Sequence, residues 1–444
     1  MMAVELARAL RSGATSAIET TEAALRRTHE LNPVLNAFAL IDAEGARAAA
    51  RLADEKLAAG IDLGPLHGVP VAVKDLVDMA GLPTSCGSAV SSGAAATEDA
   101  EVVRRLRAAG AVIIGKTTLH EFAYGATGDR SVHGASRNPH DPSRMSGGSS
   151  GGSAVAVAAG MVFVALGTDT AGSVRVPAAL CGVVGLKPAY DDISSVGVYP
   201  LAPSLDHVGV FATTTEDALI GYQAVSDRRV DIRSGDLSVG WIPPGSIAVT
   251  DPRVEQVTQR LVESAAFSVD VVRGFPKWER RQGLFEIFST LQGREAFRVH
   301  ENHLDHNDTD ADLIDPEVRE RLYAGRSITD QRYAEAGQAR EELRVMVDEL
   351  LAAYDVLALP SVPFVAPTIG ERRVSVGGAQ LEVRSALLSL TSPWNMTGSP
   401  AISVPAGEID GLPVGVQLVA AAGNEGRLFA AARDIELALA KSRA

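Results

Sequence analysis

The run from Ala154 to Leu166 is almost entirely small or apolar, and glycine-hedged serines bound it on both sides. Before it stands Met145-Ser-Gly-Gly-Ser-Ser-Gly-Gly-Ser153, and after it Gly167-Thr-Asp-Thr-Ala-Gly-Ser-Val-Arg175. A stretch of this kind without a polar face reads as a buried helix running straight into a buried strand, which demands a large surrounding core. It falls short of the roughly 20 residues that a membrane-spanning helix needs and carries glycine, so it belongs to a core. A helix followed by a strand reverses the chain and returns Ser173 close to Ser149. One segment therefore constrains both the architecture and the place where hydroxyl chemistry can gather.

The 444 residues can bury such a core, and the length allows one large α/β domain or a few smaller ones. With 41 basic and 55 acidic residues the formal charge is −14, and no Lys/Arg-rich run is available to track a phosphate backbone. Direct nucleic-acid binding is therefore not expected. The opening segment from Met1 to Arg11 interrupts its apolar residues with charges, which reads as an amphipathic helix and not as a signal peptide, so a cytoplasmic protein is the default. Cys86 and Cys181 are the only cysteines and read as free buried thiols.

Helical and strand patterns alternate along the chain, which is the mark of an α/β fold. Ser16-Ala-Ile-Glu19 fits a capping box, and the helix it opens is expected to stop before Asn32-Pro33. An alanine-rich helix from about Asp42 to Ala59 is closed by Gly60; Gly68 to Lys74 then has the β-branched pattern of a strand, with Lys74 at its end. Asp99 to Ala109 reads as helix with Gly110 as its cap, and Ala111 to Ile114 as a buried parallel-type strand. A polar loop from Ser131 to Arg144 delivers the chain into the glycine-serine segment. Further strands are expected at 161–166, 237–241, 269–272, 356–359, 401–404 and 414–418, and helices at 253–265, 278–303, 316–322 and 327–353. The polar stretch from Asn302 to Asp315 reads as an exposed loop.

A serine hydroxyl is a poor nucleophile until a base takes its proton, and acyl transfer also needs donors for the developing oxyanion. A Ser-His-Asp triad would draw on His67, His120, His133, His140 or His207. Lys74 is the alternative: at the tip of an apolar strand, desolvation disfavours its ammonium form and lowers its pKa. His300, His303 and His306 imitate a metal cluster, but spacings of three along one helix fan them too widely for one ion. The glycine run lacks the Gly-Lys-Ser/Thr ending of a phosphate loop.

These residues, taken together, closely resemble the amidase signature family. The likeness is carried by Pro65 to Asp75, Arg137-Asn-Pro-His-Asp141, Gly147 to Ser153, Gly167 to Pro177 and Cys181-Gly-Val-Val-Gly-Leu-Lys-Pro188. It continues through Ala202-Pro-Ser-Leu-Asp206, Asn395 to Pro405 and Gly411-Leu-Pro-Val-Gly-Val-Gln417, so that nearly the whole chain takes part. What the resemblance implies is a single amidase domain over 1–444, with N-terminal helices to 60, a signature core over 61–215 and a pocket-shaping part over 216–444. The implied fold is a large, mixed, twisted central β-sheet covered by helices on both faces.

The resemblance also implies a Ser-Ser-Lys triad, carried onto Lys74, Ser149 and Ser173, in a hydrolase that turns a small carboxamide into an acid and ammonia or an amine through an acyl-serine. Ser173 would be the nucleophile, Ser149 the proton relay after a cis Gly148–Ser149 peptide, and Lys74 the base. The N–H groups of Thr170, Ala171, Gly172 and Ser173 would form the oxyanion hole, with Ala171 standing where glycine is commoner. Phe122, Tyr124 and Gly125 match a segment lining the acyl pocket in relatives, with core packing as the alternative for both rings. Asp169 and Arg175 read as a structural ion pair, with a substrate contact from Arg175 as the alternative, and Ser150 and Ser153 as packing or capping hydroxyls. No metal or other cofactor is implied, and the one partner expected is the amide substrate, with a homodimer through the helices before Gly60 as an option. Asp191-Asp192 replaces a common Gly-Arg, and Val210 a frequent proline, which bears on substrate choice. The alternative readings are the glutaminase-like A subunit of a tRNA-dependent amidotransferase and a non-catalytic member of the fold.

Overall fold

Eleven strands form one mixed sheet, and the order in which they lie differs from the order in which they occur. They are β1 (Phe38–Ile41), β2 (Pro70–Lys74), β3 (Val112–Thr117), β4 (Val164–Thr168), β5 (Val184–Lys187), β6 (Val208–Ala212), β7 (Ser238–Trp241), β8 (Ser268–Val271), β9 (Val356–Pro360), β10 (Ala401–Ile409) and β11 (Leu412–Val419). Across the sheet they run β1-β3-β2-β4-β6-β5-β10-β11-β9-β7-β8. This is a computed structural model, and it describes the chain apart from residues 1, 91–92, 233–234, 277–282, 305–308 and 444.

Parallel pairing at β2–β3 and β2–β4 gives way to antiparallel pairing at β4–β6, and parallel pairing returns at β9–β7 and β7–β8. β10 and β11 form a long hairpin closed by Asp410-Gly411, both at positive φ (54° and 77°), as a tight two-residue hairpin turn requires. The central strands β2, β4, β6 and β11 are buried along their whole length, which explains their near-continuous apolar runs. Alternation decides which side each residue packs on. In β9, Val356 and Ala358 join one core cluster while Leu357 and Leu359 join the other, so each face of the sheet has its own helical cover. On the first face lie the helices Thr215–Val225, Pro252–Ser264 and Glu425–Arg443; on the second lie Leu284–His300, Asp330–Ala353 and Val383–Ser389, and the helix Gly151–Ala158 packs on β4 from the side opposite to Thr215–Val225, since Ser150 meets Gly167 whereas Gly221 meets Val164.

The capping box at Ser16 and Glu19 is formed, but its helix runs from Ala17 to Leu35 and takes Pro33 inside it. The segment that follows holds the helix end: the Asn32 side chain ties both the N–H and the C=O of Phe38, at 2.8 and 3.1 Å, which supports the last turn against the preference of a pre-proline residue. β1, β5 and β6 carry little signal in the sequence because they are short or interrupted by glycine, and only sheet pairing defines them. The helix expected from Trp278 begins at Leu284 among the described residues; 277–282 lie outside them. Leu304 and Ile314, within the stretch expected to be exposed, are buried, because 3₁₀ turns at Glu301–His303 and Thr309–Leu313 fold its ends inward. None of the described helices is long and apolar enough to cross a membrane.

Candidate active site

Lys74 ends β2 and Thr168 ends β4, so the parallel pairing of these strands brings both to the same carboxyl edge of the sheet. There the pairing switches from parallel to antiparallel, a place where open α/β sheets form clefts. Lys74 Nζ lies 2.7 Å from Ser149 Oγ and 2.8 Å from Thr168 Oγ1, and Lys74 is fully buried. Burial pulls its pKa from 10.5 down to about 7, against the opposing pull of Asp206 and Asp169.

The glycine-serine segment is fixed from both sides. The helix Gly151–Ala158 starts within it, and a Cβ on Gly152 would strike Ala37 O and the Thr118 backbone, so glycine lets this turn press against β3's exit. Ser150 Oγ accepts from Thr168 N–H (3.2 Å) and donates to Thr168 O (3.1 Å), while Ser153 Oγ donates to Leu166 O (2.9 Å). These two hydroxyls bolt the helix to β4. Between them and Gly147, Ser149 follows a cis peptide from Gly148; its carbonyl accepts the His120 N–H at 3.0 Å, and its hydroxyl faces Lys74.

After β4 the chain turns through Asp169 to Ser173. The Asp169 N–H and C=O exchange hydrogen bonds with His207 at 2.8 and 3.1 Å, and its carboxylate caps Val174 N–H and pairs with Arg175 at 2.9 Å. Both ions are fully buried. Burial alone would raise the Asp169 carboxyl, but the charge and hydrogen bonds of Arg175, with Lys187 and Asn395, hold it well below the usual carboxylate range. Arg175 also donates to Thr391 O, Gln417 Oε1 and Asn395 Oδ1, so its whole guanidinium is taken up by the scaffold beneath the turn.

The N–H groups of Thr170, Ala171, Gly172 and Ser173 donate to no other group among the described residues. They are thus free to serve an oxyanion. The residue at positive φ is Gly172 (139°), while Ala171 keeps negative φ, so alanine there asks nothing unusual of the backbone. Ser173 is 4% exposed, and its carbonyl accepts Ser150 N–H, which joins the two serine segments directly.

Sequence reasoning missed Thr168 as the second partner of Lys74. It also missed Asp206, which accepts from Thr170 Oγ1 (2.6 Å) and from the N–H groups of Leu201 and Ala202 (2.9 and 3.0 Å). Burial raises the Asp206 pKa to about 6 against those hydrogen bonds. Its position within Ala202 to Asp206 was the available signal. A cavity of about 70 Å³ lined by Thr168, Thr170, Tyr199 and Asp206 adjoins the turn and shares the wall Val198–Pro200 with a cleft of about 1000 Å³. Phe122 stands in the wall of that cleft, at φ 51°, packed on Tyr199 and His300. Tyr124 is buried between two arginines, and a Cβ on Gly125 would overlap the His120 ring.

His300 is buried with Nδ1 against Ala296 O at 2.8 Å, and His306 lies outside the described residues. No group of three or more His, Cys, Asp or Glu among the described residues could hold a metal. Cys86 and Cys181 are free and buried, and burial raises both thiols far above their usual range.

A family model for amidases matches residues 19–239 and 253–429. The chain is 35% identical to the AtzE component of the 1-carboxybiuret hydrolase of Pseudomonas sp. (strain ADP), over 98% of each chain. It is also 35% identical to the A subunit of the glutamyl-tRNA(Gln) amidotransferase of Symbiobacterium thermophilum, over 99% of this chain and 96% of the other. The crystal structure of an amidase superposes with a TM-score of 0.92 at 36% identity, covering 98% of this chain and 99% of that one. With the serine-lined turn and buried lysine at the sheet's carboxyl edge, these likenesses make the chain a member of the amidase family, built on the amidase signature fold.

Proposed function

We propose that the chain is a cytoplasmic amidohydrolase that converts a small carboxamide into its acid plus ammonia or an amine through an acyl-serine, with Ser173 as nucleophile. The observation that carries this reading is the 2.7 Å approach of Lys74 Nζ to Ser149 Oγ in a fully buried setting that brings the lysine pKa to about 7. A neutral Lys74 accepts the Ser149 proton, Ser149 takes the proton of Ser173, and Ser173 Oγ attacks the amide carbonyl. The carbonyl oxygen gains negative charge facing the N–H groups of Thr170 to Ser173. On collapse, the proton held by Lys74 returns through Ser149 to the leaving nitrogen, and the C–N bond breaks. Water then enters by the same proton route in reverse and releases the acid.

The test is ammonia release across a panel of amides, with intact-mass detection of the acyl-enzyme. Ser173→Ala should form no adduct and lose turnover by about 10⁴-fold or more; a variant that still released ammonia would overturn the assignment. The similarity to the amidotransferase component favours one other reading, in which the ammonia is passed to a partner protein. Turnover by the purified protein on its own argues against it, and turnover that appears only with added partner proteins argues for it.

A further inference from the structure

Because the N–H groups of Thr170 to Ser173 have no partners among the described residues, nothing on the donor side of this turn fixes where they point. Donors help an oxyanion most when their aim is set before the charge develops. The aim must therefore come from the other groups of the turn. Thr391 Oγ1 donates to Ala171 O, Asn395 Nδ2 donates to Asp169 O at 2.8 Å and to its carboxylate at 2.9 Å, and Thr170 Oγ1 donates to Asp206 at 2.6 Å.

The loops that carry Asp206 and Asn395 are in turn held by charged side chains from two helices of the C-terminal half. Every polar group of Ser204, two positions before Asp206, is taken by them. Its N–H and hydroxyl donate to Glu295 at 2.9 and 2.6 Å, and its carbonyl and hydroxyl accept from Arg340 at 3.0 and 3.1 Å. Glu295 is a buried carboxylate on the helix Leu284–His300, and Arg340 lies on the helix Asp330–Ala353, which also sends Tyr333 Oη to Glu295 at 2.8 Å. The remaining arm of Arg340, Nε, donates at 2.6 Å to the carbonyl of Met396, the neighbour of Asn395. One guanidinium thus fastens both the loop that grips Thr170 and the loop that grips Asp169.

Helix packing alone accounts for Tyr333 on Glu295, but not for two charged groups converging on one loop serine. Hydrogen bonds from charged groups are the strong ones, and a planar guanidinium fork fixes direction as well as distance. Neither Glu295 nor Arg340 lines the cavity beside the turn or the larger cleft. Resting on the hydrolase reading above, we propose that Glu295 and Arg340 are positioning residues for the oxyanion turn, acting through Ser204, Asp206 and Thr170 on one side and through Met396, Asn395 and Asp169 on the other. Their loss lets the N–H groups of the turn leave their common focus while substrate binding is largely kept.

Three measurements on the full chain test this. In steady-state kinetics on the amide that the wild type turns over best, Glu295→Gln, which sets a donor against the Ser204 N–H, should lower kcat about 10-fold with KM within about threefold. Arg340→Leu should lower kcat about 100-fold, and Arg340→Lys should restore part of that loss. A double-mutant cycle then joins Glu295→Gln to Thr170→Val, which removes the hydroxyl but keeps the N–H. With that grip gone Glu295 has less to act through, so the combined loss in kcat should fall short of the product of the single losses by about threefold or more. Hydrogen exchange of the segment from Asp169 to Arg175, without substrate, should quicken about 10-fold in Glu295→Gln and Arg340→Leu, beyond any change in global unfolding.

Losses that multiply in the cycle, a KM that rises as far as kcat falls, or exchange at the turn that follows global unfolding alone would overturn the proposal and leave the hydrolase reading intact. A wild-type chain that hydrolyses no amide would overturn the hydrolase reading; the exchange measurement then decides the clamp by itself, upholding it if the turn loosens and overturning it if the turn does not. Should Arg340→Leu fail to fold, Glu295→Gln and Arg340→Lys carry the same tests.

Discussion

Lys74 Nζ and Ser149 Oγ meet at 2.7 Å although 75 positions separate them in the chain. The contact fixes a pH signature. As the proposed base, Lys74 must be neutral to accept a proton, and burial places its pKa at about 7, so kcat/KM should fall about tenfold per unit as pH drops below about 7 and level off above it. Asp206 supports the charged lysine, so Asp206→Asn should move the midpoint of that limb downward. A pH–rate profile from about pH 5 to about pH 9 for both proteins checks the two directions. An acid limb that stayed in place without Asp206 would detach that carboxylate from the base.

The two serines should fail differently. Ser173→Ala removes the atom proposed to carry the acyl group, and no covalent adduct should form. Ser149→Ala leaves the nucleophile and the free N–H groups of the turn but cuts the path to Lys74, so slow acylation should survive at a rate lowered by about 10³-fold. Intact-mass measurement during turnover separates these outcomes. Equal adduct formation in both variants would remove the asymmetry between the serines.

Much of this geometry was legible in the chain, and the reason differs by residue. Ser149, Ser173 and Lys74 stand out because glycine spacing and a charged residue ending an apolar strand are local signals. Thr168 and Asp206 carry no such mark: a threonine at a strand end and an aspartate in a loop acquire meaning only when β4 lies beside β2 and the 201–206 turn folds over Thr170. Helix ends follow the same rule. Ser16 and Glu19 announce a start, whereas the run through Pro33 depends on a bond from Asn32 to Phe38 that the helical pattern cannot show. Arg321 and Arg384 are two of many arginines in sequence, and only packing sets both on Tyr124.

Asp169 and Arg175 form a fully buried pair beneath the turn, and each also bonds to Asn395. Removing one partner strands the other charge in the core, so Arg175→Leu should lower unfolding stability by about 3–5 kcal/mol. The double variant Asp169→Leu/Arg175→Leu should lose clearly less than the sum of the two single changes. Denaturant unfolding of the four proteins yields the coupling. Additive losses would mean that the ions act through their other bonds and not through each other.

The turn over that pair offers a last contrast between adjacent positions. Gly172 has φ 139°, and a Cβ there would overlap the Thr391 hydroxyl, whereas Ala171 is not at positive φ and already carries a Cβ. Gly172→Ala should therefore tilt the N–H groups of the turn away from a common focus, lowering kcat by about 10²-fold or more, as loss of an oxyanion donor does. It should also destabilise the fold by about 1–3 kcal/mol through overpacking. Ala171→Gly should leave kcat within about threefold and lower stability by only about 0.5–1 kcal/mol, from the added freedom of the unfolded chain. Steady-state rates and thermal unfolding of the two variants decide it. A larger loss at Ala171 than at Gly172 would place the demand for backbone freedom at the wrong residue and require a different set of N–H donors for the oxyanion.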